Sequence, residues 1–122
     1  MLKRLHRITK KTDFDKFFGS EFKKAKGYSA SSNHLILKSL KNDLDISRFA
    51  FVISTKIDKR ATKRNLVKRR LREIFRLNLN KFKQGYDILI ITKKGIVDLS
   101  FNDLEKEVDS LLKKIKFYKT NG

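Results

Sequence analysis

"KRATKRNLVKRRLREIF", residues 59–75, places eight Lys and Arg in seventeen positions and admits one acid, Glu73. Whether this run is a helix, and which face its charge occupies, decides how the rest of the chain can fold. Residues 61–80 contain no Gly or Pro and are rich in good helix formers. Projected at about 100° per residue with Leu66 as zero, Val67, Leu71, Ile74 and Phe75 fall between about 80° and 180°, a stripe wide enough to seat a helix on a sheet. Asn65, Lys68, Arg69, Arg72 and Arg76 fall between about 200° and 300°, a contiguous basic strip beside the apolar one. The charge is sorted to one side.

Working outward, Gly85 precedes "YDILIIT" (86–92), a continuous apolar run that reads as a strand buried on one or both faces. Before the helix, "NHLILKSL" (33–40) and "RFAFVIS" (48–54) are rich in β-formers, and the Asn and Asp of the intervening "KNDLD" suit a turn. The expectation is two antiparallel strands joined by a loop, with a further short strand near 24–30. "TDFDKFF" (12–18) reads as a short helix opened by Thr12 with Asp15 at capping-box spacing, presenting Phe14, Phe17 and Phe18 and ended by Gly19 and Ser20. The last helix starts at Ser100, with Asp103 completing its box and Phe101, Leu104, Val108, Leu111, Leu112 and Ile115 at helical spacing. Its acids lie early and its lysines late, as the helix dipole favours. The order is that of an α+β sandwich with helices on a mostly antiparallel sheet.

At 122 residues the chain suits one domain spanning 1–122 with a basic arm over about 1–11, and 39% apolar residues, ten of them Phe, can furnish its core. Thirty-one Lys and Arg against thirteen acids leave a net charge of +18. Such a compact state repels itself unless a polyanion neutralises it, and nucleic acid is the leading candidate. Without anions the fold is expected to be marginal. Cysteine is absent, which removes disulfides, thiolate metal sites and thiol nucleophiles. No apolar run approaches the roughly 20 residues of a membrane span, so a cytoplasmic protein is expected.

Between Lys59 and Lys94 thirteen cations face two acids, and residues 1–11 add Lys3, Arg4, Arg7, Lys10 and Lys11 with none. A merely solvated helix would alternate signs and gain from opposite charges four apart, which Glu73 alone cannot supply. Membrane-surface binding would need the apolar stripe that the strands require for a core. Arginine forks and Asn65 suit phosphate, sugar and base edges of single strands. Phe14 and Phe18, four apart, are by spacing either core plugs, the better reading, or a stacking platform for unpaired bases. His6 and His34 have no acid or Cys at ligand spacing, so neither a metal site nor a catalytic pair is expected.

The spacing of Arg64, Asn65, Lys68, Arg69 and Arg72 resembles the signature of the bacterial ribonuclease P protein component. The likeness spans nearly the whole chain: "DFDKFF" early, "FVISTK" leading into the signature, "GYDILIITKKG" after it, and a closing amphipathic helix. Two departures stand out. Many relatives carry Gly before the signature where this chain reads "IDKRATKRN", and a strand aromatic of the family's cleft is replaced near Lys38.

What the resemblance implies is a two-layer α/β sandwich of the kind shared with a ribosomal-protein domain, in αβββαβα order with a left-handed βαβ crossover. Elementary chain chirality would have favoured the right-handed form. It implies a protein subunit of a ribonucleoprotein whose RNA, holding Mg2+, removes the 5′ leader of precursor tRNA, the protein supplying neither catalytic groups nor metal ligands. The partners implied are the catalytic RNA and precursor tRNA, with no DNA and no membrane. Carried over, Lys63, Arg64, Asn65, Lys68, Arg69, Arg72 and Arg76 would bind RNA. Phe14, Phe18, Lys38 and Lys56 would line the leader cleft, which moves the two phenylalanines toward the stacking reading. The rivals are a basic ribosomal or RNA-chaperone protein without a processing role, and a protein that cleaves RNA unaided.

Overall fold

Local sequence preference and the need to bury the strands on both sides together produce one mixed sheet. The computed structural model describes residues 4–119, so the first three residues of the basic arm, Lys3 included, lie outside them. In chain order the elements are α1 (Lys11–Asp15), α2 (Ser20–Lys24), β1 (Tyr28–Ser31), β2 (Leu35–Lys41), β3 (Arg48–Val52), α3 (Ala61–Leu77), β4 (Tyr86–Thr92) and α4 (Phe101–Lys114). Short 3₁₀ turns stand at Arg4–His6, Leu79–Lys81 and Ile96–Asp98. This is the expected αβββαβα order with its first helix divided in two.

The strands lie in the order β1-β2-β4-β3, with β1–β2 and β2–β4 antiparallel and β3–β4 parallel. β4 takes a central position because its run is apolar on both faces: Ile88, Leu89 and Ile90 are each 0% exposed. Alternation sends Leu35, Leu37, Phe49, Ile88 and Ile90 to the side covered by α3 and α4, where they form the main core. There Phe49, Phe75, Phe82 and Phe117 pack with ring centroids 4.8–6.2 Å apart. Leu40 and Leu89 face the other way and meet Phe17. The α1–α2 segment therefore covers part of the opposite face.

Three expectations shift. The strands at 35–41 and 48–52 do run in opposite directions, but β4 lies between them, because β3 finds a parallel partner through the α3 crossover. Thr12 does not cap α1; the helix begins at Lys11 after an uncapped Lys10. The reason is tertiary: Ile8 N–H is pinned to Phe49 O at 2.9 Å, and Asp13 is drawn to Arg48 at 3.3 Å, which together set where the helix starts. α1 ends at Asp15, so Phe17 and Phe18 stand in the turn after it and not on the helix; Gly19, at φ +72°, lies in that turn, and Ser20 opens α2 instead of ending α1. By contrast Ser100 caps α4 as read, its Oγ accepting from Asp103 N–H at 3.1 Å.

Candidate nucleic-acid interface

The stripe assigned to α3 by projection is the stripe that is buried: Val67, Leu71, Ile74 and Phe75. Seating the helix this way turns the strip of Asn65, Lys68, Arg69, Arg72 and Arg76 to its flank. The first turn holds no acid, and no side chain caps it. Cations at the positive end of a helix dipole are unfavourable to one another and favourable to an anion. Asp58, just upstream, is already engaged: it accepts from Arg60 N–H at 2.8 Å and from the Arg60 guanidinium at 3.0 and 2.8 Å. The Arg60 side chain, then its backbone N–H, hold the Asp58 carboxyl well below the usual carboxylate range.

The seven signature-region residues divide. Lys63, Asn65 and Arg69 are exposed and Lys68 is half-buried, and none of the four pairs with a carboxylate among the described residues. Arg64 stands three residues before Val67, on the apolar side, and its Nη1 donates to the carbonyls of Asp58 and Lys59 at 2.9 Å each, closing the loop into α3. Arg76 donates Nε to Glu73 at 3.0 Å, so the single acid of the opening run is spent on the last cation of the strip. Side-chain hydrogen bonding to Arg76 lowers the Glu73 carboxyl. Arg72 is half-buried with its Nε enclosed and unpartnered.

On the opposite sheet face Phe14 and Phe18 lie with ring centroids 5.4 Å apart. Phe14 is half-buried against the Phe17, Leu40 and Leu89 cluster, whereas Phe18 is 44% exposed. The core and stacking readings thus divide between two residues: Phe17 is the plug, at 0% exposure, and Phe18 is open. Lys38 joins them, its Nζ 5.1 Å from the Phe18 ring centroid and 5.3 Å from that of Phe22. Lys56 is exposed in the turn between β3 and α3, and no hydrogen bond, ion pair or ring contact joins it to these rings among the described residues.

Sequence reasoning missed what holds α1 in place. Arg48 Nε and Nη2 fork onto Asp87 at 2.9 and 2.7 Å, and Nη2 also reaches Asp13 of α1 at 3.3 Å. The signal was available: an acid inside the apolar run 86–92 demands a partner, and Arg48 opens the strand that registers with it, Arg48 opposite Asp87. Arg70 was also left unassigned; its Nη1 donates to Leu99 O at 3.0 Å and ties α3 to the entry of α4.

The family model for ribonuclease P matches residues 2–116. The chain belongs to the ribonuclease P protein family. Its relatives include the ribonuclease P protein component of Alkaliphilus oremlandii, 38% identical over 114 residues that cover 93% of this chain and 94% of that one. That of Fusobacterium nucleatum is 42% identical over 88 residues, 69% of this chain and 78% of the relative. Among solved structures, the RNase P protein from Thermotoga maritima superposes with a TM-score of 0.74 at 32% identity, covering 89% of this chain and 96% of that one. The Staphylococcus aureus RNase P protein gives 0.80 at 24% identity, covering 93% and 98%, and attests the fold. The family is that of an RNA-binding component of a tRNA-processing ribonucleoprotein nuclease.

Among the described residues no group of three or more His, Asp and Glu could hold a metal ion. Both histidines are engaged: His6 Nδ1 lies 3.1 Å from Ser47 O, and His34 Nδ1 lies 2.8 Å from Glu107 Oε1. Among the described residues no helix is long and apolar enough to cross a membrane. What remains open is charge and aromatic surface, suited to phosphates and bases.

Proposed function

We propose that this chain is a ribonuclease P subunit that grips the catalytic RNA with the α3 strip and the single-stranded 5′ leader of precursor tRNA in the cleft over β2. Hydrolysis of the phosphodiester is carried out by the RNA and its Mg2+ ions, in the cytoplasm, with the protein acting by electrostatics. The observation that carries this reading is the sorting of Asn65, Lys68 and Arg69, none of them held by a carboxylate among the described residues, on one flank of a helix whose other side is buried on the sheet. Lysine and arginine there screen phosphate repulsion between two RNAs. Only the precursor carries a leader, so contacts at Phe14, Phe18 and Lys38 favour substrate over product. Lys38, near the strand position where the resemblance leads one to expect an aromatic, supplies an ammonium beside two rings, which trades stacking area for a phosphate contact. Lys56 sits where the chain passes from the cleft face to the strip and extends the same field.

The test is reconstitution with a bacterial RNase P RNA and timed cleavage of precursor tRNA at low magnesium. Wild type should stimulate cleavage, Lys68→Ala combined with Arg69→Ala should lose at least about tenfold in RNA affinity, and the log–log salt slope should be about −3.5 for five phosphate contacts of single-stranded character. No stimulation by wild type, or copurification with ribosomal RNA alone, sinks the reading in favour of a ribosomal or chaperone protein.

A further inference from the structure

The sheet end where β4 begins carries a second cationic surface, on the edge strand farthest from β3 and on the face opposite Phe18. Tyr28, the first residue of β1, leaves 57% of its surface exposed. It borders a notch of about 80 Å³ whose other polar lining residues are Ser39, Lys83, Tyr86 and Lys116, with no carboxylate among them. Backbone pairing builds this place. Lys83 N–H donates to Phe117 O and Lys119 N–H to Lys81 O, both at 2.8 Å, so the chain after α4 lies antiparallel to residues 81–83 and brings lysines from both segments together.

The backbone adds a second observation. Among the described residues, the non-glycine residues in the left-handed region are Lys26 at φ 55° and Lys116 at φ 56°. Both are lysines: one lies two residues before Tyr28, and the other lines its notch. Glycine would relax either position. Both positions close a helix, with Gly27 N–H bonded to Phe22 O and Phe117 N–H to Leu112 O, so the turn that ends α4 is also what sets Lys116 at the notch.

We propose that this notch is a second contact for single-stranded RNA, with a phosphate between the ammonium groups of Lys83 and Lys116 and the neighbouring base stacked on Tyr28. The notch holds about two or three waters' volume, enough for a phosphate group but not for a base, which therefore lies outside on the ring. Stacking on one aromatic face is tolerant of sequence, so the site takes unpaired nucleotides in general. The inference rests on the reading that the protein works on RNA, and adds a face which that reading does not use.

The experiment titrates a single-stranded RNA tetranucleotide, too short to reach both faces, into the full chain at low salt and measures stoichiometry and tyrosine fluorescence. Wild type should take one on the notch in addition to those held by the α3 strip and the Phe18 cleft. Tyr28→Leu should weaken the notch site about tenfold or more, while Tyr28→Phe retains it. Combining Tyr28→Leu with Lys83→Gln and Lys116→Asn, where Asn tolerates the left-handed backbone, should lower the stoichiometry by one; Phe18→Ala with Lys38→Gln should lower it by one independently. If the triple variant keeps the wild-type stoichiometry and affinities, this proposal alone falls. Absence of any RNA binding by wild type overturns it together with the proposed function. Quenching of Tyr28 by a polyglutamate peptide but not by RNA overturns it in favour of an acidic protein.

Discussion

α3 and α4 pack side by side on the same face of the sheet, and each buries four residues in the helix body: Val67, Leu71, Ile74 and Phe75 against Leu104, Val108, Leu111 and Leu112. Their polar faces have opposite histories. α4 is capped by Ser100, pairs Lys113 with Asp109 at 3.1 Å, and lends Glu107 to Ser32 and to His34 N–H and Nδ1 at 2.9 and 2.8 Å. α3 has no side-chain cap, no acid in its first turn and one internal ion pair. α4 thus ties Glu107, Asp109 and Lys113 to partners within the fold. On α3, Lys63, Lys68 and Arg69 have no carboxylate partner among the described residues.

The largest effect should come where the two helices are alike. Phe75→Ala and Leu111→Ala each empty a fully buried site, and costs of about 3–5 and 2–5 kcal/mol are expected. Denaturant unfolding at fixed phosphate concentration measures both. A loss at Phe75 far below that at Leu111 would break the symmetry of the comparison and mean that α3 is seated by its ligand and not by its stripe.

Next comes a residue that exists only on the self-satisfied helix. Burial pushes the Glu107 carboxyl up, but hydrogen bonds from Ser32 and from the side chain and backbone of His34 outweigh it, so its pKa lies below the ordinary value. A carboxyl depressed in the folded state adds stability that is present above its unfolded pKa and lost as pH falls through the folded one. Glu107→Gln should therefore cost about 1–3 kcal/mol at neutral pH, flatten the acid limb of the stability profile, and leave RNA affinity unchanged. Stability measured against pH, beside RNA binding at neutral pH, separates the two; a fall in RNA affinity without one in stability would put α4 in the interface.

How much of this was legible in the sequence depends on whether the cause was local. The α3 stripe, the Ser100 cap and the apolar β4 run are set by periodicity and by neighbours within four residues, and all three stand where the pattern put them. The start of α1 is not local: Asp13 answers to Arg48 in β3 and Ile8 to Phe49, so Thr12 lost its expected capping role. Strand neighbours failed for the same reason, since only the crossover through α3 places β4 between β2 and β3. At the site, periodicity located the strip but could not tell a cation facing solvent from one folded back. Arg64 shares a helical phase with Val67 and Leu71, a clue to its bonds with the Asp58 and Lys59 carbonyls. Phe14, Phe17 and Phe18 had equal claims by composition, and a turn ending at Gly19 gave the core to Phe17.

The smallest effect tests the one place where α3 behaves like α4. Glu73 neutralises Arg76 through a fork three residues apart, on an exposed part of the helix where solvent screens the pair. If the strip exists to meet phosphates, that pair withholds a cation from the RNA. Glu73→Gln should then bind RNA more tightly, with the log–log salt slope steeper by about 0.7 as Arg76 gains one phosphate contact, while the thermal midpoint hardly moves. The sign matters more than the size. A solvated helix that lost its only acid would gain repulsion and nothing else, so weaker or unchanged RNA binding would place Arg76 outside the interface and end the strip at Arg72.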